Sequence, residues 1–302
     1  MASFSEPQLN TEGVLGEVDT AYKIIVGIDF GTTYSGVAWG LTATPDVQHA
    51  TAPGESGLAP KTRTTLILSA SEHAVIGFGK AAMETLVEEM DDAPKGTDFD
   101  DPDDFDFLLF ERFKMLLKDQ DSGFDTLKAS SSSGEEVSLM VLIGASLRIL
   151  KDHALEDINK VWGGALELDL KKDIKWVITI PAIWTEFGKQ FMRRAAVVAE
   201  IVEKSTDLQL LLAYEPECAA LAVHACTSSA DLLSPGVNYM ILDCGGETID
   251  ITGHCVKSVF PLVLNATIPA DGGEWGGSYV NAEFYKFIRE LVGETAFEII
   301  ET

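Results

Sequence analysis

Positive charge is scarce in this chain. Its 302 residues include 22 Lys and Arg against 48 Asp and Glu, a net charge of −26. So acidic a balance argues against a nucleic-acid binder, which needs basic patches to displace counterions, and disfavours contact with anionic membranes. Long apolar runs are missing too. No uninterrupted stretch of ~18 apolar residues occurs, so no membrane span is expected. The opening MASFSEPQLNTEG has neither the basic patch nor the apolar core of a signal peptide. Cys218, Cys226, Cys244 and Cys255 form no C-x-x-C pair, and His49, His73, His153, His224 and His254 show no paired spacing. No zinc site is expected, and the histidines read as surface or satisfied core residues. A reducing cytoplasmic setting fits best, with the nucleus also open. Without secretion, the acceptor pattern Asn265-Ala266-Thr267 reads as chance. Finally, no G-x-x-x-x-G-K-[ST] occurs, which excludes a Walker loop.

What is present begins with Ile24–Gly40, IIVGIDFGTTYSGVAWG. Ile24–Ile28 is the kind of apolar run that forms a strand buried on both faces. Asp29 closes it, Gly31-Thr32-Thr33 follows, and Ser35–Trp39 reads as a second strand. A carboxylate ending a buried strand is costly unless it faces a cation or donors. Gly31 lets the backbone turn tightly and approach a ligand. Thr32 and Thr33 offer hydroxyls and amides to phosphate oxygens, and Asp29 reaches toward the waters of a Mg²⁺ ion. On this stretch alone, an ordinary hairpin explains the pattern equally well.

A second copy favours the functional reading. Asn238–His254, NYMILDCGGETIDITGH, repeats the plan: apolar strand, Asp243, Gly245 and Gly246, Thr248, then an alternating strand. The two aspartates lie 214 residues apart, too far for a solenoid period. Two phosphate hairpins facing one another from two related lobes explain the duplication.

These stretches resemble a known family. GIDFGTTYSG is similar to the first phosphate motif of the 70-kDa heat-shock chaperones, within the actin-like ATPase superfamily, and ILDCGGETID to the second. WVITIPAIW and AYEPECAALA match two stretches between them, in the family order. FERFKM, IPAIW and GGEWGGSYVNAEFYKFI resemble the divergent member-12 branch and its fungal relatives more than the classical chaperones. The resemblance runs from about Tyr22 to the end. It implies an α/β fold of the actin-like ATPase, ribonuclease H-like type with duplicated lobes. A flexible tail, 1–21, would precede a complete first lobe, 22–228, carrying an inserted subdomain at about 45–134. Residues 229–302 would begin a second, incomplete lobe, without the glycine-rich adenosine motif that the family places further on.

The same resemblance implies MgATP or MgADP as ligand. Asp29, Glu215 and Asp243 would hold Mg²⁺ through water. Gly31, Thr32, Thr33, Tyr34, Gly245, Gly246 and Thr248 would cradle phosphate, and Asp243 or Asp250 would orient the attacking water. A lysine of the inserted subdomain assists transfer in the family. Lys114 is the best positional match and Lys80 the alternative, against the plainer reading of an exposed helical lysine. Pro181 matches a proline that relays nucleotide state. Glu247 stands where the family has a third glycine, and its carboxylate is expected to repel phosphate, fill the pocket or bind a further cation.

Between the motifs, Thr65–Ser69 and Ala74–Gly77 read as short strands, Lys80–Glu89 as a helix, and Asp91–Phe107 as a solvated acidic loop or a docking segment for a basic partner. Phe110–Lys118 reads as a short amphipathic helix, Gln120–Gly134 as a flexible loop and Val137–Val161 as a long helix. Ile174–Ile180 and Leu208–Ala213 are buried strands. Thr185 is expected to cap a helix whose Phe187, Phe191, Ala195, Val198 and Val202 pack in the core. Pro216 suits the first helical position, with Glu215 at the positive end of the helix dipole. Thr227–Gly236 reads as a hinge and Val256–Thr267 as a strand. Gly272-Gly273 with Gly276-Gly277 reads as a turn before a helix with Val280, Phe284, Phe287, Ile288 and Leu291 on one face. Three functions follow: a chaperone-type ATPase with a protein client or co-chaperone, a non-hydrolysing scaffold of the same fold, or a small-molecule kinase of the superfamily.

Overall fold

The computed structural model describes residues 22–44, 46–55, 59–92, 106–118, 123–162, 168–226, 234–259, 262–294 and 296–297. The expected tail, most of the acidic stretch, the start of the loop after Lys118 and the first part of the hinge, 227–233, lie outside them.

The first lobe is built on β1 (Ile24–Phe30), β2 (Tyr34–Leu41), β3 (Val47–His49) and β4 (Lys61–Arg63). Next come β5 (Leu66–Ser69), β6 (Val75–Phe78), α1 (Lys80–Asp92) and β7 (Phe107–Phe110), then a 3-10 helix over Phe113–Leu117. The small hairpin β8 (Lys128–Ser130) and β9 (Glu136–Ser138) leads into α2 (Leu139–Trp162). β10 (Ile174–Ile180), α3 (Glu186–Val198), β11 (Leu210–Tyr214) and α4 (Glu215–Cys226) complete the lobe. The second lobe comprises β12 (Asn238–Cys244), β13 (Ile249–Val259), β14 (Leu262–Gly273) and α5 (Gly277–Val292).

The main sheet runs β11-β10-β1-β2-β3, with β4 also on β2. β1 is parallel to β10 and antiparallel to β2, so the strand following the first turn doubles back, as a hairpin requires. Strand parity then places the functional side chains. Ile24, Val26, Ile28 and Phe30 are buried in the core with Ile174, Trp176, Ile178 and Ile180. Asp29 and Thr179, at the alternate positions, project from the opposite face. Behind the core face lie α2 and α3. Gly144 on α2 sits where a Cβ would come within 2.6 Å of Val198 on α3, so the two helices approach closely. The Trp39 indole N–H donates to Asp157 of α2 at 2.8 Å and fixes α2 to the sheet.

Several expectations needed revision. Phe110–Lys118 is not an amphipathic helix. Phe107–Phe110 pairs with β5, Arg112 takes a left-handed conformation (φ 56°) that interrupts the chain, and only a 3-10 turn follows. Thr185 occupies the cap position of α3 but makes no side-chain capping bond. Within α3, Phe191 and Ala195 are buried as expected, Val202 is buried just beyond its end, and Val198 is exposed. Gly272 and Gly273 end a strand instead of forming a turn. In α5 no side chain is buried, so its apolar residues face outward. Of the histidines, His254 is buried and bonded to Thr252, but His224 Nδ1 has no partner among the described residues.

A cavity between two matched turns

The first turn is braced from behind. The Thr64 N–H donates to the Thr33 carbonyl at 2.8 Å, and its hydroxyl donates to the Gly31 carbonyl at 2.9 Å. Gly31 is required by space, not by a left-handed backbone: a Cβ there would lie 2.2 Å from the Tyr34 carbonyl oxygen. The second turn is held by the start of α5. Backbone N–H groups of Gly276, Gly277 and Ser278 donate to the carbonyls of Glu247, Gly245 and Gly246 at 3.0, 3.1 and 2.8 Å. The two turns then touch. A Cβ on Gly246 would come within 2.0 Å of Thr33 Oγ1, which is buried and has no hydrogen-bond partner among the described residues.

Around this contact lies a cavity of about 900 Å³. Asp29, Gly31, Thr32, Thr33, Tyr34, Lys114, Glu215, Asp243, Gly245, Gly246 and Thr248 all line it, with Pro181 on its wall. Asp250 does not. Its carboxylate sits behind Thr248, whose hydroxyl donates to it at 3.3 Å. Lys80 is also elsewhere, paired with Glu84 on α1. Lys114 is no exposed helical lysine: it is 3 % exposed, donates to Glu215 at 3.0 Å, and lies over the Trp184 and Phe30 rings. Glu215 is the first residue of α4, at the positive end of its dipole.

The two side chains that hold Asp29 escaped the sequence reading. Lys61 donates to Asp29 at 2.7 Å, and Thr179 donates to its other oxygen at 2.9 Å. Thr179 was available from parity, as the polar alternate of a buried strand. Lys61, a lone lysine after Pro60, carries no local signal.

Electrostatics divides the three carboxylates. Burial pushes Asp29 up, but Lys61, Lys114 and the Thr179 bond outweigh it and hold this carboxyl below its ordinary value. For Glu215 burial wins over Lys114 and raises the carboxyl, with Asp29 adding to the shift. Asp243 is likewise raised, by burial first and by Asp29 second. Lys61 is disfavoured by burial, yet Asp29, with Asp243 and Glu215 beyond it, more than compensates and raises it. Glu247 neither points freely into the cavity nor fills it as a bare charge: its carboxylate is 3 % exposed and accepts from the Arg112 guanidinium.

No protein-family model matches the chain. Among curated proteins, heat shock 70 kDa protein 12B of Homo sapiens is 27% identical over 91% of the chain. Heat shock 70 kDa protein 12A of Mus musculus is 28% identical over 96%. The chain is thus similar to the 12A and 12B heat shock 70 kDa proteins. It spans just under half of their length, 46% and 48% respectively. MreB5 of Spiroplasma citri, solved with ADP bound, superposes over 92% of the chain and 61% of its own length, with a TM-score of 0.50 at 13% identity. That likeness concerns fold alone, a mixed α/β fold of the actin-like type.

Proposed function

We propose that this chain is a chaperone-type, actin-like module that binds magnesium ATP or ADP in the inter-lobe cavity and hydrolyses ATP slowly. The observation that carries the reading is the meeting of the two duplicated turns, each following an aspartate-bearing strand, at one cavity. The residues suit the ligand. The Thr33 hydroxyl is buried without a partner among the described residues, Gly31 and Gly246 leave no room for a side chain, and Lys61 and Lys114 supply positive charge. Among the described residues no three His, Cys, Asp or Glu side chains converge tightly enough to hold a metal directly. As the family resemblance implies, Asp29, Glu215 and Asp243, which all line the cavity, would hold magnesium through its hydration shell, and the ion would supply charge neutralisation on the phosphates.

The chain's own groups do the rest by positioning and charge stabilisation. Lys61 and Lys114 are paired with Asp29 and Glu215. Their movement onto phosphate oxygens leaves those carboxylates to accept from water. Asp243, on the cavity wall, is the better candidate to orient the attacking water. Asp250 acts through the Thr248 hydroxyl, as a positioning residue. A second reading, the non-hydrolysing scaffold, is favoured by the same lysine–carboxylate pairs, which satisfy the charges of the site internally. A protein client, a co-chaperone and a cytoplasmic setting belong to the proposal. No described helix is long and apolar enough to cross a membrane.

Titration calorimetry with MgADP and MgATP tests binding, and alkylation mapping tests its place. Cys244 is exposed and lines the cavity. Cys218 lines it too, but burial and its acidic neighbours push that thiol up to about 11, so it reacts slowly, and Cys255, a free thiol outside the cavity lining, serves as the internal reference. MgADP is expected to protect Cys244 from iodoacetamide. Absence of both heat and protection defeats the nucleotide reading, and single-turnover phosphate release then separates ATPase from scaffold.

A further inference from the structure

The stretch from Arg112 to Lys118 carries three cations, and each reaches a carboxylate on a different part of the molecule. Arg112 pairs with Glu247 in the second-lobe turn, Lys114 with Glu215 at the start of α4, and Lys118 with Glu274 at 3.1 Å. Glu274 is also held by the Tyr279 hydroxyl on α5 at 2.8 Å. Two of the three links therefore join the first lobe to the second. Arg112 makes its link from a left-handed backbone that a non-glycine residue adopts at a cost, and Glu247 makes it while almost wholly buried. Both features are expensive unless the pair is kept for a purpose.

The purpose follows from what lies beside each partner. Two residues after Arg112 is Lys114, the buried cation of the cavity. On either side of Glu247 are Gly246 and Thr248, which line the same cavity from the other lobe. Resting on the nucleotide reading above, we propose that Arg112 and Glu247 are positioning residues for that site: their ion pair clasps the second turn to the segment bearing Lys114 and fixes the two halves of the phosphate cradle in register. Glu247 in this arrangement is not a repulsive intruder. Its charge is balanced by Arg112, and the pair takes the place of contacts that a bare glycine turn cannot make.

The clasp and the repulsion idea differ in sign. Under repulsion, Glu247→Gln tightens nucleotide binding. Under the clasp it loosens binding, because the buried carboxylate is gone and Arg112 has lost its anchor. The test is calorimetric titration of the full chain with MgADP, comparing wild type, Glu247→Gln, Arg112→Gly, Arg112→Lys and the Glu247→Gln/Arg112→Gly double variant. Arg112→Gly suits the left-handed backbone, so it removes the guanidinium without straining the fold. Each single loss is expected to weaken MgADP binding about tenfold, the double variant no more than either single, and Arg112→Lys to recover much of the affinity. Tighter or unchanged binding by Glu247→Gln overturns the clasp, as do strictly additive losses. If wild type binds no MgADP at all, the nucleotide reading itself fails and takes the clasp with it. Wild-type binding with indifferent variants defeats the clasp alone.

Discussion

At Asp250 a carboxylate is 2 % exposed, accepts one bond from Thr248, and leaves Oδ1 without a partner among the described residues. Burial, with Asp243 directly opposite on β12, raises its carboxyl above the ordinary value. A carboxyl raised on folding contributes stability that is fully present below its unfolded value of 3.8 and is lost as pH rises through the folded one. Near neutrality the charge is therefore a burden, and Asp250→Asn should raise the thermal midpoint by about 2 °C, the gain vanishing below about pH 4. Thermal melts of both proteins across pH check this, and a lower midpoint for the variant near neutral pH refutes it. The residue was legible as a candidate only through the resemblance of its motif to the family's second phosphate motif. Its actual station behind Thr248 was not, because motif spacing does not say which face of the hairpin meets the cavity. Lys114 and Lys61 teach the complementary lesson: burial of one and proximity of the other depend on contacts made across 101 and 32 residues of sequence.

Among the elements, those ruled by a simple period were legible. β1 and β10 could be read from their apolar runs, but the expectation that β1 is buried on both faces fails: only its alternate residues are buried, and Ile25 on the other face is exposed. The segment from Phe107 to Lys118 could not, because its helical-looking spacing is split between strand pairing with β5 and a 3-10 turn started by the left-handed Arg112. The contrast between α3 and α5 is sharper still, since both have an apolar face. α3 buries Phe191 completely, whereas Phe284, Phe287 and Leu291 of α5 are each more than half exposed. Sequence periodicity reveals an apolar face but not whether anything covers it. Phe191→Ala is thus expected to cost about 3–5 kcal/mol, while Leu291→Lys stays within about 0.5 kcal/mol. Urea unfolding of the two variants measures both. A large loss at Leu291 would mean that α5 is packed in solution against something the described residues do not provide.

For the whole molecule, charge sets the terms on which an anionic ligand arrives. The chain carries −26, and the cavity repeats that sign locally, with Asp29, Glu215 and Asp243 facing two lysines already engaged by carboxylates. A basic phosphate site draws its ligand in through a long-range field and slows as salt screens it. On the proposed nucleotide reading, the distant field would repel the ligand here, and only the close contacts of the two turns would attract it. Screening shortens the repulsion to about 10 Å at roughly 0.1 M salt while leaving partly buried contacts much less affected. The association rate of MgATP should accordingly rise, by about two- to threefold, between roughly 20 and 200 mM NaCl, with little change in the dissociation rate. Stopped-flow binding of a fluorescent ATP analogue resolves the two rates. A rate that falls with salt would show that Lys61 and Lys114 dominate the approach, and so that they stand free of Asp29 and Glu215 before the nucleotide arrives.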